Sequence, residues 1–201
     1  MKISIFITTI LSVFLGLQTS NAMDGIAKKE CFMSQNERPK YKITVTQGNK
    51  EIGVMELELF PDIAPKHCEN FDSLVTSGFY DGTAFHRVIP GFMIQGGDPN
   101  SKTKPSNTWG YGDPSQKRIP AEFSKTPHTR GILSAARSQD INSAASQFFI
   151  CHADAPHLDG QYTVYGQLVK GFEVLDAIAE TPCGERNLPM EKIEMKIAKV
   201  E

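Results

Sequence analysis

Cysteine is scarce in this chain, with 4 in 201 residues, and no two stand in a CxxC pair. That spacing excludes a thioredoxin-like redox motif and a zinc knuckle. No GxSxG elbow, Walker phosphate loop, HExxH pair or GxGxxG fingerprint occurs. The sequence grounds for an α/β-hydrolase, a P-loop nucleotidase, a zincin protease or a dinucleotide enzyme are therefore missing. An excess of one charge is missing too. Lys and Arg number 21 against 23 Asp and Glu, for a net charge of -2, and no basic stripe breaks the mixture. Neither nucleic acid nor an anionic membrane surface is expected as the main partner. After Leu17 no run is long and apolar enough to span a bilayer.

The first residues form the one exception. Lys2 precedes an uncharged, mostly apolar run, Ile3 to Leu17, that ends in Thr19-Ser20-Asn21-Ala22. Small residues at Ser20 and Ala22 suit a signal-peptidase site, so residues 1–22 read as a secretory signal peptide. The alternative is an uncleaved anchor, but the run falls short of the roughly 20 apolar residues a span requires. The mature protein is expected without stable membrane insertion, in a Gram-negative periplasm or otherwise secreted. Export permits disulfides. Cys31 lies before the first strand and Cys183 before the last; if those strands are neighbours the two could pair, and otherwise the thiols are free.

Residues 23–40 are polar and aperiodic and read as a flexible leader to a domain spanning 41–201. Ile43 and Val45 alternate with threonines; after Gln47-Gly48-Asn49, Met55, Leu57 and Leu59 alternate with glutamates. Two period-two segments about a short turn predict a hairpin. Pro65 can open a helix carrying Cys68, Phe71, Leu74 and Val75 on one face, with Gly78 after its end. Apolar runs at Phe85–Ile89 and Phe92–Gln95 flank Pro90-Gly91, and a long polar loop extends from Gly96 to about Arg130. Further strands are expected at 132–136, 147–151, 164–169 and 193–200, and a second helix at Phe172–Ala179 with Leu175 and Ile178 inward. About eight short strands and two helices without βαβ alternation predict a mainly β fold. The fitting architecture is a closed eight-stranded antiparallel barrel capped by two α-helices.

Three blocks carry the chemistry: Phe85-His86-Arg87-Val88-Ile89-Pro90-Gly91-Phe92-Met93-Ile94-Gln95-Gly96-Gly97-Asp98; Gly131 to Arg137 leading to Ser146-Gln147-Phe148-Phe149-Ile150; and Leu158-Asp159-Gly160-Gln161-Tyr162 to Gly166. Together they resemble the cyclophilin family of peptidyl-prolyl cis-trans isomerases from about Tyr41 to Val200. The resemblance implies the same capped barrel, no metal or organic cofactor, proline-containing polypeptides as partners, and a monomer. It implies Arg87 as the catalytic arginine. It makes Phe92, Met93, Phe149 and Leu158 the wall of a proline pocket, with Gln95 and Gln147 as polar groups beside the arginine. Ala136 and Arg137 match the segment that runs along the substrate backbone. Two positions depart from the familiar eukaryotic pattern: His157 stands where cyclosporin-sensitive members have tryptophan, and Tyr162 where they have histidine. These changes imply weak cyclosporin binding without loss of activity.

The residue types suit the reaction. Rotation about an Xaa-Pro bond faces a barrier of about 18–20 kcal/mol from amide resonance. No bond is broken, so no nucleophile is needed. A twisted amide has a pyramidal nitrogen able to accept a hydrogen bond, and arginine is a permanently charged donor. Other candidates read more plainly. His152, Asp154, His157 and Asp159 match no metal-ligand spacing and are expected in a solvated loop. Cys151 and His152 should diverge as strand neighbours. His86 is expected to face away from Arg87 as a hydrogen-bonded structural histidine, and Trp109 to anchor the long loop. The competing functions are a proline-binding module or chaperone with weak catalysis, and a secreted metal-dependent hydrolase resting on the His/Asp cluster.

Overall fold

The computed structural model describes residues 38–200 except Asn49. The expected signal peptide, most of the leader and Cys31 lie outside the described residues. Eight antiparallel strands close into a barrel: β1 Lys40–Gln47, β2 Lys50–Leu59, β3 Thr83–Ile89, β4 Met93–Gly96, β5 Ile132–Ala135, β6 Phe148–Cys151, β7 Val164–Lys170 and β8 Ile193–Lys199. Their order around the wall is β1-β2-β7-β5-β6-β4-β3-β8. Closure leaves no unpaired sheet edge. The first and last strands pair, with Ile43 opposite Ile197. Arg38 and Pro39, within the stretch read as leader, already bond to the barrel: Arg38 reaches Asp62 at 3.2 Å, and the Pro39 carbonyl accepts the Leu59 N–H.

The inward residues are those the alternation marks. Tyr41 and Ile43 of β1 face Leu57 and Met55 of β2, and with Val45 their side chains stack in layers inside the wall. Burying each such large apolar side chain stabilises by about 1.5–3 kcal/mol. The interior is filled rather than hollow. Phe71 from the first helix lies within 6.0 Å, centroid to centroid, of Tyr41, Tyr80, Phe148 and Tyr165.

That helix, α1, spans Pro65–Thr76. Pro65 sits where a missing N–H costs nothing, but no local side chain caps the helix. The carboxylate of Glu122, from the long loop, accepts the N–H groups of Lys66 and His67 at 3.1 and 3.0 Å. A negative group there also opposes the positive helix end. A second cap, α3, spans Phe172–Ala179 with Leu175 and Ile178 fully buried. Gly171 starts it at φ +85, and a side chain there would run into the β2 backbone at Val54 and Met55. Between them comes an unforeseen one-turn helix, α2, at Asn100–Thr103 inside the long loop. Among the described residues no helix is long and apolar enough to cross a membrane.

Candidate active site

The site lies on the outside of the barrel wall, where β3, β4, β6 and β5 run side by side. Residues directly opposite one another in antiparallel strands share a face. Arg87 pairs with Gln95, Gln95 with Phe149, and Phe149 with Ser134, giving one transverse row. Met93 lies on the same outer face, two residues from Gln95, and packs with Phe149 in a small apolar cluster separate from the interior.

Strict alternation would not have put Arg87 there. Phe85 and Val88 both belong to the interior core, although they are three residues apart. The pairing of β3 with β4 shifts between Phe85 and Arg87, and this bulge inserts His86 as the extra residue. A bulge re-aims the side chains beyond it. It also corrects the expectation for His86, which does not face away from Arg87: both line one groove of about 380 Å³ beneath Trp109 and Gly110. Nor does the His86 ring make a hydrogen bond of ordinary geometry among the described residues. Both ring nitrogens are buried without a partner among the described residues, and burial lowers the pKa of the ring.

The slot itself is a cavity of about 190 Å³ lined by Arg87, Phe92, Met93, Gln95, Ala136, Arg137, Phe149, Leu158 and Tyr162. Nine of the eleven residues singled out in the sequence thus meet at one opening. The other two stand beside it. Gln147 lines a larger groove of about 490 Å³ that shares Gln95, Ala136 and Arg137 with the slot. His157 is exposed and packs its ring against Phe92, 5.4 Å between centroids, bracing the rim. The larger groove has arginines of its own, Arg118 and Arg137, but Tyr111 is its one aromatic and it lacks the wall of Phe92, Met93, Phe149 and Leu158 that faces Arg87 in the slot.

Arg87 is held by a directed chain of hydrogen bonds. Its Nη1 donates to Gln95 Oε1 at 3.3 Å; Gln95 Nε2 donates to Gln147 Oε1 at 3.1 Å; Gln147 Nε2 donates to the Gly110 carbonyl at 3.1 Å. Each amide has one orientation that satisfies both neighbours. The chain ends on a loop that is itself pinned. Buried Asp98, from the end of the first sequence block, accepts the N–H groups of Gly110 and Gly112. Trp109 anchors the same loop by donating to the Lys104 carbonyl at 2.8 Å. Arg137 stacks over Tyr162, 4.4 Å from its centroid, and its side chain donates to the Gln161 carbonyl. That leaves Ala136 and the Arg137 backbone along the groove edge.

No pattern along the chain pointed to the support behind Phe149. His128 lies stacked on that ring at 17°, with Nδ1 2.9 Å from Asp159 and Nε2 3.1 Å from Ser134 Oγ. Serine, histidine and carboxylate in line resemble a nucleophilic triad. Ser134 is fully buried, however, and its hydroxyl donates to the Thr163 carbonyl, so the set holds the wall rather than attacks. The metal-like cluster disperses: Asp159 serves His128, Asp154 accepts the Arg130 N–H, and His152 turns to Gly91 and Asp176. Cys151 is fully buried, and burial pushes its thiol pKa up to about 12, which removes it as a nucleophile.

The family model for "Cyclophilin type peptidyl-prolyl cis-trans isomerase/CLD" matches residues 23–201. A probable peptidyl-prolyl cis-trans isomerase of Brucella suis is 50% identical over 130 residues; the match spans 63% of this chain and 66% of that relative's length. A peptidyl-prolyl cis-trans isomerase of Arabidopsis thaliana is 44% identical over 147 residues, 72% of this chain and 88% of the relative. Among solved structures, a cyclophilin-type isomerase of Cryptosporidium parvum superposes with a TM-score of 0.70 at 33% identity, covering 82% of this chain and 98% of that one. The same protein solved in the presence of the dipeptide Ala-Pro gives 0.69 at 34% identity, covering 81% and 99%.

Proposed function

Since the chain belongs to the cyclophilin-type peptidyl-prolyl cis-trans isomerases, we propose that it accelerates rotation about Xaa-Pro bonds, with Arg87 as the catalytic group and the slot as the seat of the proline ring. The observation that carries this reading is the Arg87 guanidinium lining an open slot of about 190 Å³ together with the apolar side chains of Phe92, Met93, Phe149 and Leu158, and held by the Gln95 amide.

Phe92, Met93, Phe149 and Leu158 hold the pyrrolidine ring while the acyl side turns. As the amide twists, its nitrogen loses resonance and gains a lone pair. Arg87 donates a hydrogen bond to that nitrogen, an interaction absent from both planar forms. Only such differential binding lowers the barrier. The apolar wall excludes water and so strengthens the bond. Gln95 keeps the guanidinium from swinging away, which places the donor before the reaction begins. A gain of roughly 10⁵-fold needs about 7 kcal/mol. Ala136 and Arg137 lie where an extended peptide can run along the groove edge.

The apolar run 3–17 followed by Ser20 and Ala22 supports action on exported proteins, in the periplasm or another secretory compartment. The protein works as a monomer. Cyclosporin binds weakly, because His157 offers less apolar area than tryptophan beside Phe92.

A protease-coupled assay with an Xaa-Pro peptide tests the activity. The wild type is expected to accelerate exchange. Binding of the peptide without acceleration would instead establish the proline-binding module. Fractionation of expressing cells tests the export reading, and recovery in the cytoplasm with residues 1–22 intact would refute it.

A further inference from the structure

Polar groups from three elements converge on the turn that carries Phe92. His152 follows β6. Its Nδ1 accepts the Gly91 N–H at 2.8 Å, and its own backbone N–H donates to the Phe92 carbonyl at 2.9 Å. One bond lies just before Phe92 and one just after, so His152 brackets the residue that forms the slot's outer wall. The ring's other nitrogen, Nε2, is 3.0 Å from Asp176 Oδ1 on α3. Asp176 in turn pairs with Arg130 at 2.8 Å, and Arg130 also donates to the His152 carbonyl.

This arrangement admits one tautomer. A nitrogen that accepts from Gly91 carries no proton, so the proton sits on Nε2 and is donated to Asp176. Asp176 remains an ionised acceptor, because the hydrogen bond from Arg130 holds its carboxyl below the ordinary pKa. A second proton on the imidazole would set an Nδ1–H against the Gly91 N–H, two donors with no acceptor between them. The charged groups around the ring are Asp176 on α3 and Arg130 ahead of β5, with Asp154 bonded to the Arg130 N–H. The β3–β4 turn itself, Pro90-Gly91-Phe92, has no ionisable side chain, and His157 packs against the Phe92 ring.

We propose that His152, oriented by Asp176, is a positioning residue that fixes the Phe92 wall, and that its protonation releases Gly91 and loosens the grip on the proline ring. This rests on the slot being the proline site. Phe92 touches the ring in planar and twisted forms alike, so the loss falls on affinity and KM rather than on kcat.

The test measures Kd and exchange rates by NMR for an Xaa-Pro peptide without ionisable side chains, across neutral to acidic pH. The proteins are the wild type, His152→Asn, His152→Leu and His157→Gln. The wild type is expected to lose about fivefold in affinity on acidification, the worth of one hydrogen bond, with kcat nearly constant. His152→Leu has the weaker affinity at every pH. His152→Asn, whose amide oxygen can accept the Gly91 N–H without titrating, keeps neutral-pH affinity and loses the acid dependence. His157→Gln retains that dependence. Persistence of the acid effect in His152→Asn, its disappearance in His157→Gln, or wild-type affinity in His152→Leu overturns the proposal. If His152→Leu does not fold, the Asn and Gln variants still decide. Peptide that binds with this pH profile but is not isomerised would sink the proposed activity and leave the positioning role standing.

Discussion

Phe148 and Phe149 are adjacent on β6, chemically identical and nearly closed to solvent, at 0% and 5% exposure. They nevertheless belong to different regions. Phe148 points into the barrel, where its ring meets Phe71, Tyr80 and Phe85 at centroid distances of 6.0, 5.7 and 6.3 Å. Phe149 points outward, between His128 at 6.1 Å and Tyr162 at 5.8 Å, and faces an opening. The inside of the wall is packed with aromatic rings; the outside of the same wall is left as a slot. Because strand side chains alternate, one wall can serve stability on one face and recognition on the other.

Substitutions should separate the two faces. The largest effect is expected from Phe148→Ala, which removes a ring from the filled interior. It should cost about 3–5 kcal/mol in a denaturant melt, because the surrounding rings cannot collapse into the space. A loss below about 1 kcal/mol would mean that the interior is not the rigid region. Arg87→Ala comes next. Turnover is expected to fall about 10²–10³-fold, as for removal of one transition-state donor, while the melt moves by less than about 0.5 kcal/mol. A rate near that of the wild type would remove the guanidinium from the mechanism.

Phe149→Ala sharpens the comparison most directly. Peptide affinity should weaken about tenfold, equivalent to roughly 1.4 kcal/mol. Its stability cost should be smaller than that of Phe148→Ala, because water entering from the slot can occupy the space. Equal stability losses and intact affinity would show that both phenylalanines are simply core.

The smallest effect expected is on stability in acid, and it arises at the start of α1 and in the support behind Phe149. Burial holds the pKa of His67 below its ordinary value, against the hydrogen bond with Glu122 that would raise it. Burial alone would raise Glu122, but its bonds from the His67 ring and from the Lys66 and His67 N–H groups leave it lowered. Asp159 is lowered first by the His128 N–H and then by its ring. Each of these groups binds protons more readily in the unfolded chain, so stability is full above the unfolded pKa and declines as pH falls. A decline should begin near about pH 6.5 for the histidine and continue below about pH 4 for the carboxylates. Thermal midpoints measured across pH check this; because burial lowers His86 in the same way, His67→Gln should diminish the earlier phase and leave the part due to His86. A midpoint that rose on acidification would reverse the sign and discard the assignment.

Much of this was visible in the chain before folding. The alternation at Ile43, Val45, Met55, Leu57 and Leu59 and the helical face of Phe71 and Val75 depend only on neighbours in sequence, and these elements stand where expected. The slot residues were recognisable because they lie in contiguous blocks. Other features were not legible. The bulge at His86 depends on which strand lies alongside β3, so a reading of β3 by itself assigned His86 the wrong face. His128 and His152 are polar residues without a local pattern; their roles come from Asp159, 31 positions away, and Asp176, 24 positions away.

The amino-acid order by itself determined the strand and helix periods, the family blocks and the set of side chains available for chemistry, because these are carried by residues near one another along the chain. Tertiary structure alone decided that Arg87 faces outward, that the slot stays open while the interior fills, and that two distant histidines stand behind its aromatic wall. The reason is physical. Which face a side chain takes in a closed sheet is set by pairing register, and one extra residue in one strand reverses it.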